Sequence, residues 1–552
     1  MDSRAKELLK QGDGLFSKKQ TLNSLHQEIA DHFYPQRADF TTVRTLGEEF
    51  ASRLTTSYPL LAHRELASQI SVMLRPNQTE WFHIGIARDE DLDNAGRAWL
   101  ERQTRLMKRA MYDRAACFER ATSEADADFV AFGQCALSCE LDMRHNTLLY
   151  RTWHLRDLAW AEDDRGRVNN VHRNWKPSVR TMEKYFSNAR DSIHQKIKER
   201  LAKDPFCESI VRHIVIEADE YHTNSAPDKK HWRSKYVSVF VDVENEHVIR
   251  EVPVNNLIYV IPRWQTVSGS QYAYSPCTVA ALPDARLLQA MTLVLLEAGE
   301  KAVNPPMVAI NDVVRSDINI YAGGVTWLAE EYDERLGAGL RPLGQDMSGL
   351  PFGMDLRDDI KASIMEAFYL NKLTLPPAAD NKNMTAFEVG QRVQEYIRSA
   401  LPLFQPMESD YNGAVCEHTF EILQDAMAFG SPQDMPPSLR GQDVVFRFES
   451  PLQEAADKQK GHTFLQAKEM LAHAAELDPR VRTMIKVPEA TRDVLAGIGT
   501  PAKWMNSESE MAEAAEADAA RAQSSADMQD VMSGAMAAEQ VGKAAQSLEA
   551  VM

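Results

Sequence analysis

The sequence predicts an α+β chain that is mainly helical. Three observations carry that class: long stretches where apolar residues recur every three or four positions, a central region where apolar and polar residues alternate, and turn-forming residues between the two. At 552 residues the chain exceeds what one ordinary core organises, so several regions are expected, interleaved in sequence.

Residues 1 to about 145 read as mainly helical, with Leu22, Leu25, Ile29 and Phe33 at helical spacing before Pro35. Trp81, Phe82 and Ile84 suggest a strand or loop edge. From about residue 148 two extended runs flank the turn-prone Asp163-Asp164-Arg165-Gly166, which predicts a hairpin. Further strands are expected at 210–216, at the alternating Val237, Val239, Val241 and Val243, and at 248–252 after the turn Glu244-Asn245-Glu246.

Helical spacing returns over 282–303. Pro283 stands at a plausible first helical position, Leu287, Met291, Val294, Leu295 and Ala298 line one side, and Asn304-Pro305-Pro306 ends the run. Short β-prone pieces follow at 307–310, 318–321 and 325–328. Leu356, Ile360, Ile364, Phe368 and Leu373 then keep an apolar stripe until Pro376 and Pro377 stop the helix. A small polar loop, 378–384, surrounds Lys382, and Thr385-Ala-Phe-Glu388 has the spacing of a capping box that opens the next helix. That helix meets Pro402 and Pro406, where a kink is expected, resumes through Tyr411, Val415, Ile422 and Met427, and stops at Gly430-Ser431-Pro432. A strand at 444–448 precedes helices across roughly 452–498. The tail from Ser507 is rich in Ala, Glu, Gln and Met with nine acidic and two basic residues, a composition that forms only marginal helix unless neighbouring chains pack against it.

A net charge of −18 argues against a generally basic surface for nucleic acid, so any DNA contact is local. The six cysteines, at 117, 135, 139, 207, 277 and 416, lack CxxC spacing and read as reduced thiols. Cys135 and Cys139 share a face if helical, and core packing is the expected role. The N-terminus has no secretion-signal layout and reads as an amphipathic helix. The most apolar short run, 291–296, falls far short of the ~20 residues that span a bilayer, so no membrane crossing is expected.

No motif for catalysis emerges. Gly542-Lys543 lacks the upstream glycine and hydroxyl residue of a phosphate-binding loop, HExxH and GxSxG are missing, and His63-Arg64-Glu65 has no partner histidine. His145, His154 and His172 read as surface or hydrogen-bonded residues. No metal and no cofactor is expected. Lys382, between Asn381 and Asn383, is open to two readings: a solvated turn, or a contact with a phosphate backbone, which needs charge but no base-specific geometry.

In order along residues 15–450, HFYPQRADF, ELASQISVMLRPNQTEWFHI, DFVAFGQCAL, AEDDRGRVNNVHRNW, RWQTVSGSQYAYSPCTVAALPDARLL, LPPAADNKNMTAFEV and AMAFGSP together resemble the portal, or head-to-tail connector, proteins of short-tailed double-stranded DNA bacteriophages. Ala273 stands where that family's pattern suggests glycine. The resemblance implies a portal fold with wing, stem, clip and crown regions, assembled as a dodecameric ring around an axial channel. By that likeness residues 1–281 form a wing, 282–303 and 354–373 two stem helices, 304–353 the clip, 374–384 a tunnel loop, 385–450 the rest of the wing with a kinked helix, 451–505 the crown and 506–552 a helical or disordered tail.

The same resemblance places Asn381, Lys382 and Asn383 at the DNA channel, and makes Arg315, Asp317, Glu330, Glu331 and Arg335 clip-surface candidates for terminase or tail-adaptor contact. It implies double-stranded DNA, terminase, tail adaptors, scaffold, major capsid protein and further copies of the chain as partners. The expected place is the capsid vertex of a virion, after synthesis in the host cytoplasm. It implies no enzymatic activity. The alternatives are another non-enzymatic virion assembly or scaffold protein and, more remotely, a nucleic-acid-processing enzyme.

Overall fold

A computed structural model describes residues 3–45, 47, 54–76, 80–87, 94–142, 145–188, 191–223, 234–309, 327, 340–342, 349–373, 407–431, 433–448 and isolated positions between 467 and 521. Two compact units divide the chain: residues 1–81 with 107–426, and residues 82–106 with 427–552.

The larger unit opens with α1 (Ser3–Phe33), whose Ala5, Leu8, Leu9, Ile29, Ala30 and Phe33 are buried at helical spacing. It ends before Pro35, which has no N–H to continue the ladder. Helix α2 (Tyr58–Leu74) starts with Pro59 in its first turn, where the missing donor costs nothing. Helix α3 (Asn94–Met111) runs in sequence from the smaller unit into the larger. Helix α4 (Phe118–Phe132) is buried over most of its last two turns and stops at Gly133.

Strands β2 (Leu137–Asp142) and β3 (Thr147–Thr152) form a hairpin that a short β9 (Tyr259–Val260) extends into three antiparallel strands. Beside it lies an antiparallel sheet in the order β4 (Leu158–Glu162), β5 (Val168–Trp175), β6 (Val211–Glu217), β7 (Tyr236–Asp242), β8 (His247–Val254). One face of this sheet packs Ile214, Ile216, Val237, Val239 and Val241 against Ala5, Leu8 and Leu9 of α1. The other face packs Val211, Phe240 and Ile249 against α5 (Val179–Tyr185) and α6 (Gln195–Lys203). Covered on both faces, β7 is buried at nearly every position. The polar members of its alternation, Ser238 and Asp242, are inside as well. A polar residue survives there by pairing: Ser238 shares a 2.8 Å hydrogen bond with Nε2 of buried His213, whose ring stacks on Phe240 at 4.1 Å.

Helix α7 (Ala218–Thr223) follows β6, and a two-residue ladder joins β10 (Gln265–Thr266) to β11 (Ala273–Tyr274). Helix α8 (Pro276–Val303), strand β12 (Met307–Ala309) paired with β13 (Leu340–Pro342), α9 (Gly349–Ala367) and α10 (Leu370–Leu373) come next. A π-helical turn, Glu408–Gly413, then leads directly into α11 (Ala414–Asp425). In the smaller unit β1 (Phe82–Ile86) pairs antiparallel with β14 (Val444–Phe448), and the Ile84 amide donates to Thr104 Oγ1 of α3 at 3.0 Å.

The mixed helix and strand content matches the α+β expectation, and the 163–166 hairpin and the strand at 444–448 fall where the sequence puts them. Three details differ. Helix α8 begins six residues before 282, because Ser275 caps it and Pro276 sits in its first turn, which leaves Pro283 inside the helix. The second helix of that pair breaks at Tyr369, whose φ of +54° cannot continue a right-handed ladder. Cys139 is a strand residue, so Cys135 and Cys139 share no helix face; both are buried.

Candidate functional site

Helix α8 is about 42 Å long at 1.5 Å per residue. Its two halves differ. Cys277, Thr278, Ala281, Leu282, Ala285 and Leu288 are buried, while Leu293, Val294, Leu296 and Val303 are 48–89% exposed. Antiparallel neighbour α9 covers only one side of that outer half. Gly353 approaches so closely that an added Cβ would stand 3.0 Å from Leu295 Cδ2. On α9, Ile360 and Ile364 face inward, as does Phe368 just past its end, whereas Phe352, Met354 and Leu356 are exposed. Among the described residues α8 alone is long and apolar enough to cross a membrane, and 22% of its most apolar window is buried.

The base of the pair is held by polar contacts. Ser275 Oγ donates to the Val130 carbonyl at 2.6 Å and Thr278 Oγ1 to the Ala131 carbonyl at 2.7 Å, which ties the start of α8 to the end of α4. Gly133 makes this possible: its φ is +72°, and a Cβ there would lie 2.1 Å from the Tyr274 carbonyl carbon. Farther along, the Gln289 side-chain oxygen accepts from the Thr55 and Thr56 amides at 2.7 and 3.0 Å, and its Nε2 donates to the Thr56 carbonyl at 2.9 Å. Arg286 pairs with Glu28 of α1, and Tyr58 Oη donates to the Lys361 carbonyl at 3.3 Å.

A second polar knot fixes the π-helical turn. Arg75, at the C-terminal end of α2, is buried and ion-paired to buried Asp126 of α4. Its Nη1 donates to Asn412 Oδ1 at 2.9 Å, while Asn412 Nδ2 donates to the Leu74 carbonyl at 3.1 Å, one of the carbonyls a helix end leaves unpaired. The Arg75 guanidinium lies 4.7 Å from the centre of the Tyr411 ring. The wide turn thus presents Tyr411, Asn412 and Gly413 together to the interior. Its place next to Pro406 is where the sequence suggests a proline kink; the two prolines themselves lie outside the described residues.

Asn381, Lys382 and Asn383 lie outside the described residues, as do Arg315, Asp317, Glu330, Glu331 and Arg335, most of the crown, most of the clip and the first part of the kinked helix. His145 is exposed and bonded to Asp142 at 2.6 Å, and His154 bonds Asp39, both in keeping with their sequence reading. His172 departs from it, fully buried and without a hydrogen-bond partner among the described residues. Burial drives its pKa to about 3, assisted by the charge of Arg212. A cavity of about 530 Å³ opens between α2 and α4 near Tyr34, His63, Arg64 and Glu124. His63 there is bonded to the Ala127 carbonyl at 2.9 Å and its pKa is pushed down by burial to about 4, an arrangement that fixes the ring structurally. Among the described residues no group of three or more His, Cys, Asp or Glu is placed to hold a metal ion.

Residues 5–505 match the family profile described as bacteriophage head to tail connecting protein. The chain belongs to that family. The connector is similar to the probable portal protein of Bordetella phage BPP-1, 26% identical over 474 residues that cover 82% of this chain and 79% of that one. It is also similar to the portal protein of Salmonella phage epsilon15, 20% identical over 498 residues, or 89% and 86% of the two chains. A solved chain from the virion of a native gene transfer agent particle covers 68% of this connector at 10% identity; its TM-score of 0.28 is too low to support an argument. The connector is therefore a virion component of the head–tail junction. What the sequence does not reveal is its polar clasp, since Ser275, Gln289 and Asn412 are ordinary residues until packing places them against carbonyls from distant segments.

Proposed function

We propose that this connector is the portal of its phage, a closed ring of twelve copies around an axial channel through which double-stranded DNA is packaged and ejected. The observation that carries this reading is the exposed apolar half of α8 beside α9. Water does not tolerate so long an apolar face at no cost: each large aliphatic side chain buried there contributes roughly 1.5–3 kcal/mol. Copies of the same helix pair, placed side by side around an axis, cover one another's faces and leave none over, whereas an open dimer leaves two faces bare. The fixed base then holds each pair at one angle, as ring closure demands.

On this reading α8 and α9 are the stem, the β12–β13 ladder belongs to the clip, and Arg315, Asp317, Glu330, Glu331 and Arg335 are the clip positions offered to terminase and later to tail adaptors. Asn381, Lys382 and Asn383 form the loop nearest DNA. Scaffold and major capsid protein are the partners at the vertex. The portal itself is a structural component with no reaction of its own. An acidic chain suits this task, because a uniformly basic bore would release counterions at every phosphate and grip the duplex it must pass. A test is Val294→Glu with Leu296→Glu in the purified full-length protein. Rings seen for the wild type and lost in the double variant, with the monomer still folded by circular dichroism, are the expected result. Rings unaffected by both charges would show that assembly does not use this face.

A further inference from the structure

Helices α2 and α4 lie side by side without closing the gap between them. Along α2, His63, Ala67 and Ser71 recur every four residues on the face that lines the gap, and Ser123 and Ala127 do the same along α4. Small side chains at most of these positions leave the cavity of about 530 Å³, a volume in the range of small-ligand pockets. Its walls carry a consistent chemistry. His63 is 2% exposed, and its Nε2 lies 2.9 Å from the Ala127 carbonyl. A carbonyl only accepts, so Nε2 carries the proton and Nδ1 is left as an acceptor with no partner among the described residues. Burial holds the His63 pKa at about 4, so that acceptor stays neutral at pH 7. The Tyr34 ring stands beside it, centroids 4.9 Å apart. Glu124 adds a carboxylate to the wall, paired at 3.2 Å with exposed Arg120 in an i,i+4 contact that water weakens. Leu60 and Val72 supply apolar surface. The neighbouring carboxylate, Asp128, is already taken by Arg37 at 2.8 and 2.9 Å.

We propose that this cavity binds an organic cation, an alkylammonium or guanidinium group, with Glu124 as counter-ion, His63 Nδ1 as acceptor and the Tyr34 ring as an aromatic wall. Each part suits such a group. A cation bearing N–H donors asks for a carboxylate and a fixed lone pair, and an aromatic ring attracts it further. The apolar wall takes the carbon stem that carries the charge. An anion fits worse, although Arg64 at the cavity is exposed and without an ion pair among the described residues. It would have to lie near the Glu124 carboxylate and the His63 lone pair, and both repel it. A metal ion fits worse still, since no group of three or more His, Cys, Asp or Glu is placed to hold one among the described residues. The same chemistry is offered by an arginine or lysine side chain of a partner protein and by a free amine. Neither source depends on closure of the ring.

The experiment is calorimetric titration of purified full-length protein with N-acetyl-arginine amide, with putrescine and with sodium acetate. It compares wild type with Glu124→Gln, with Ser71→Leu, and with a control, Glu183→Gln, an exposed position on α5 away from the cavity. Thermal melts establish that each variant is folded. Saturable binding of at least one of the two cations, and none of acetate, is the expected result. Glu124→Gln removes a charge-assisted contact and should weaken cation binding at least about tenfold. Ser71→Leu fills the cavity without altering its charge and should abolish binding, while the control stays within about twofold. Tighter binding of the arginine amide assigns the site to a side chain of a partner protein, and tighter binding of putrescine to a free amine. Equal cation affinity in wild type and Glu124→Gln overturns the proposal, because it shows only general attraction to an acidic chain. Absence of saturable binding by either cation overturns it as well. So does acetate binding that disappears in Arg64→Ala, which would make the cavity an anion site.

Discussion

Gly133 carries more of this architecture than its size suggests, because α4 must stop and α8 must start within contact of it. Gly133→Ala should place a methyl group on the Tyr274 backbone at a left-handed φ and cost more than about 3 kcal/mol, read as a large fall in the urea midpoint or as insoluble protein. An unchanged midpoint would mean that the α4–α8 junction is looser than its hydrogen bonds indicate. Buried histidines supply a second prediction. Burial holds His63 and His418 at about 4 and His172 at about 3, whereas unfolded histidine titrates near 6.5. Between those values the unfolded chain binds more protons than the folded one. Their contribution is therefore complete above about pH 6.5 and drains away as pH falls towards 4. The melting temperature should drop over that window, and His63→Gln with His418→Gln should flatten the drop. If the slope is the same in the double variant, other groups set the acid response. Lys19, buried against the Leu155 and Leu158 carbonyls and lowered by desolvation to about 7 against the pull of Asp157, acts at the alkaline end, with stability rising from about pH 7 towards 10.

At the scale of elements, the sequence exposes what periodicity can express. Val237, Val239 and Val241 announce a strand, and Ile360, Ile364 and Phe368 announce a helix face, because burial on one side writes itself every second or every fourth position. It does not express which apolar stripe will be left uncovered. Leu356 reads as part of the buried stripe and is exposed, since α8 leaves the outer end of α9 uncovered. Nor does it show the π-helical turn, whose position depends on Arg75 and Asp126, more than 280 residues earlier in the chain. Asn412→Ala should strand the Leu74 carbonyl and one Arg75 donor and cost about 1–3 kcal/mol. Amide exchange across residues 408–425 should rise more in that variant than in Ser409→Ala, an exposed change one turn away; equal exchange in both would remove Asn412 from the role of anchor.

At the scale of the whole molecule, the uncovered helix pair supports the proposed ring, and the loop chemistry is likewise a proposal, on residues such as Lys382. Twelve lysines repeated around a ring would centre a duplex weakly, and their reversal should perturb passage without harming the ring. Lys382→Glu is expected to assemble normally yet lower the yield of DNA-filled heads several-fold; full heads at wild-type yield would make that charge incidental. All of this depends on closure of the ring. The direct test is native mass spectrometry of the full-length connector, with electron micrographs of the same fraction. A species near twelve copies, seen as a ring with a central hole, is the predicted result. A chain that remains monomeric at high concentration and with its scaffold present would contradict the account.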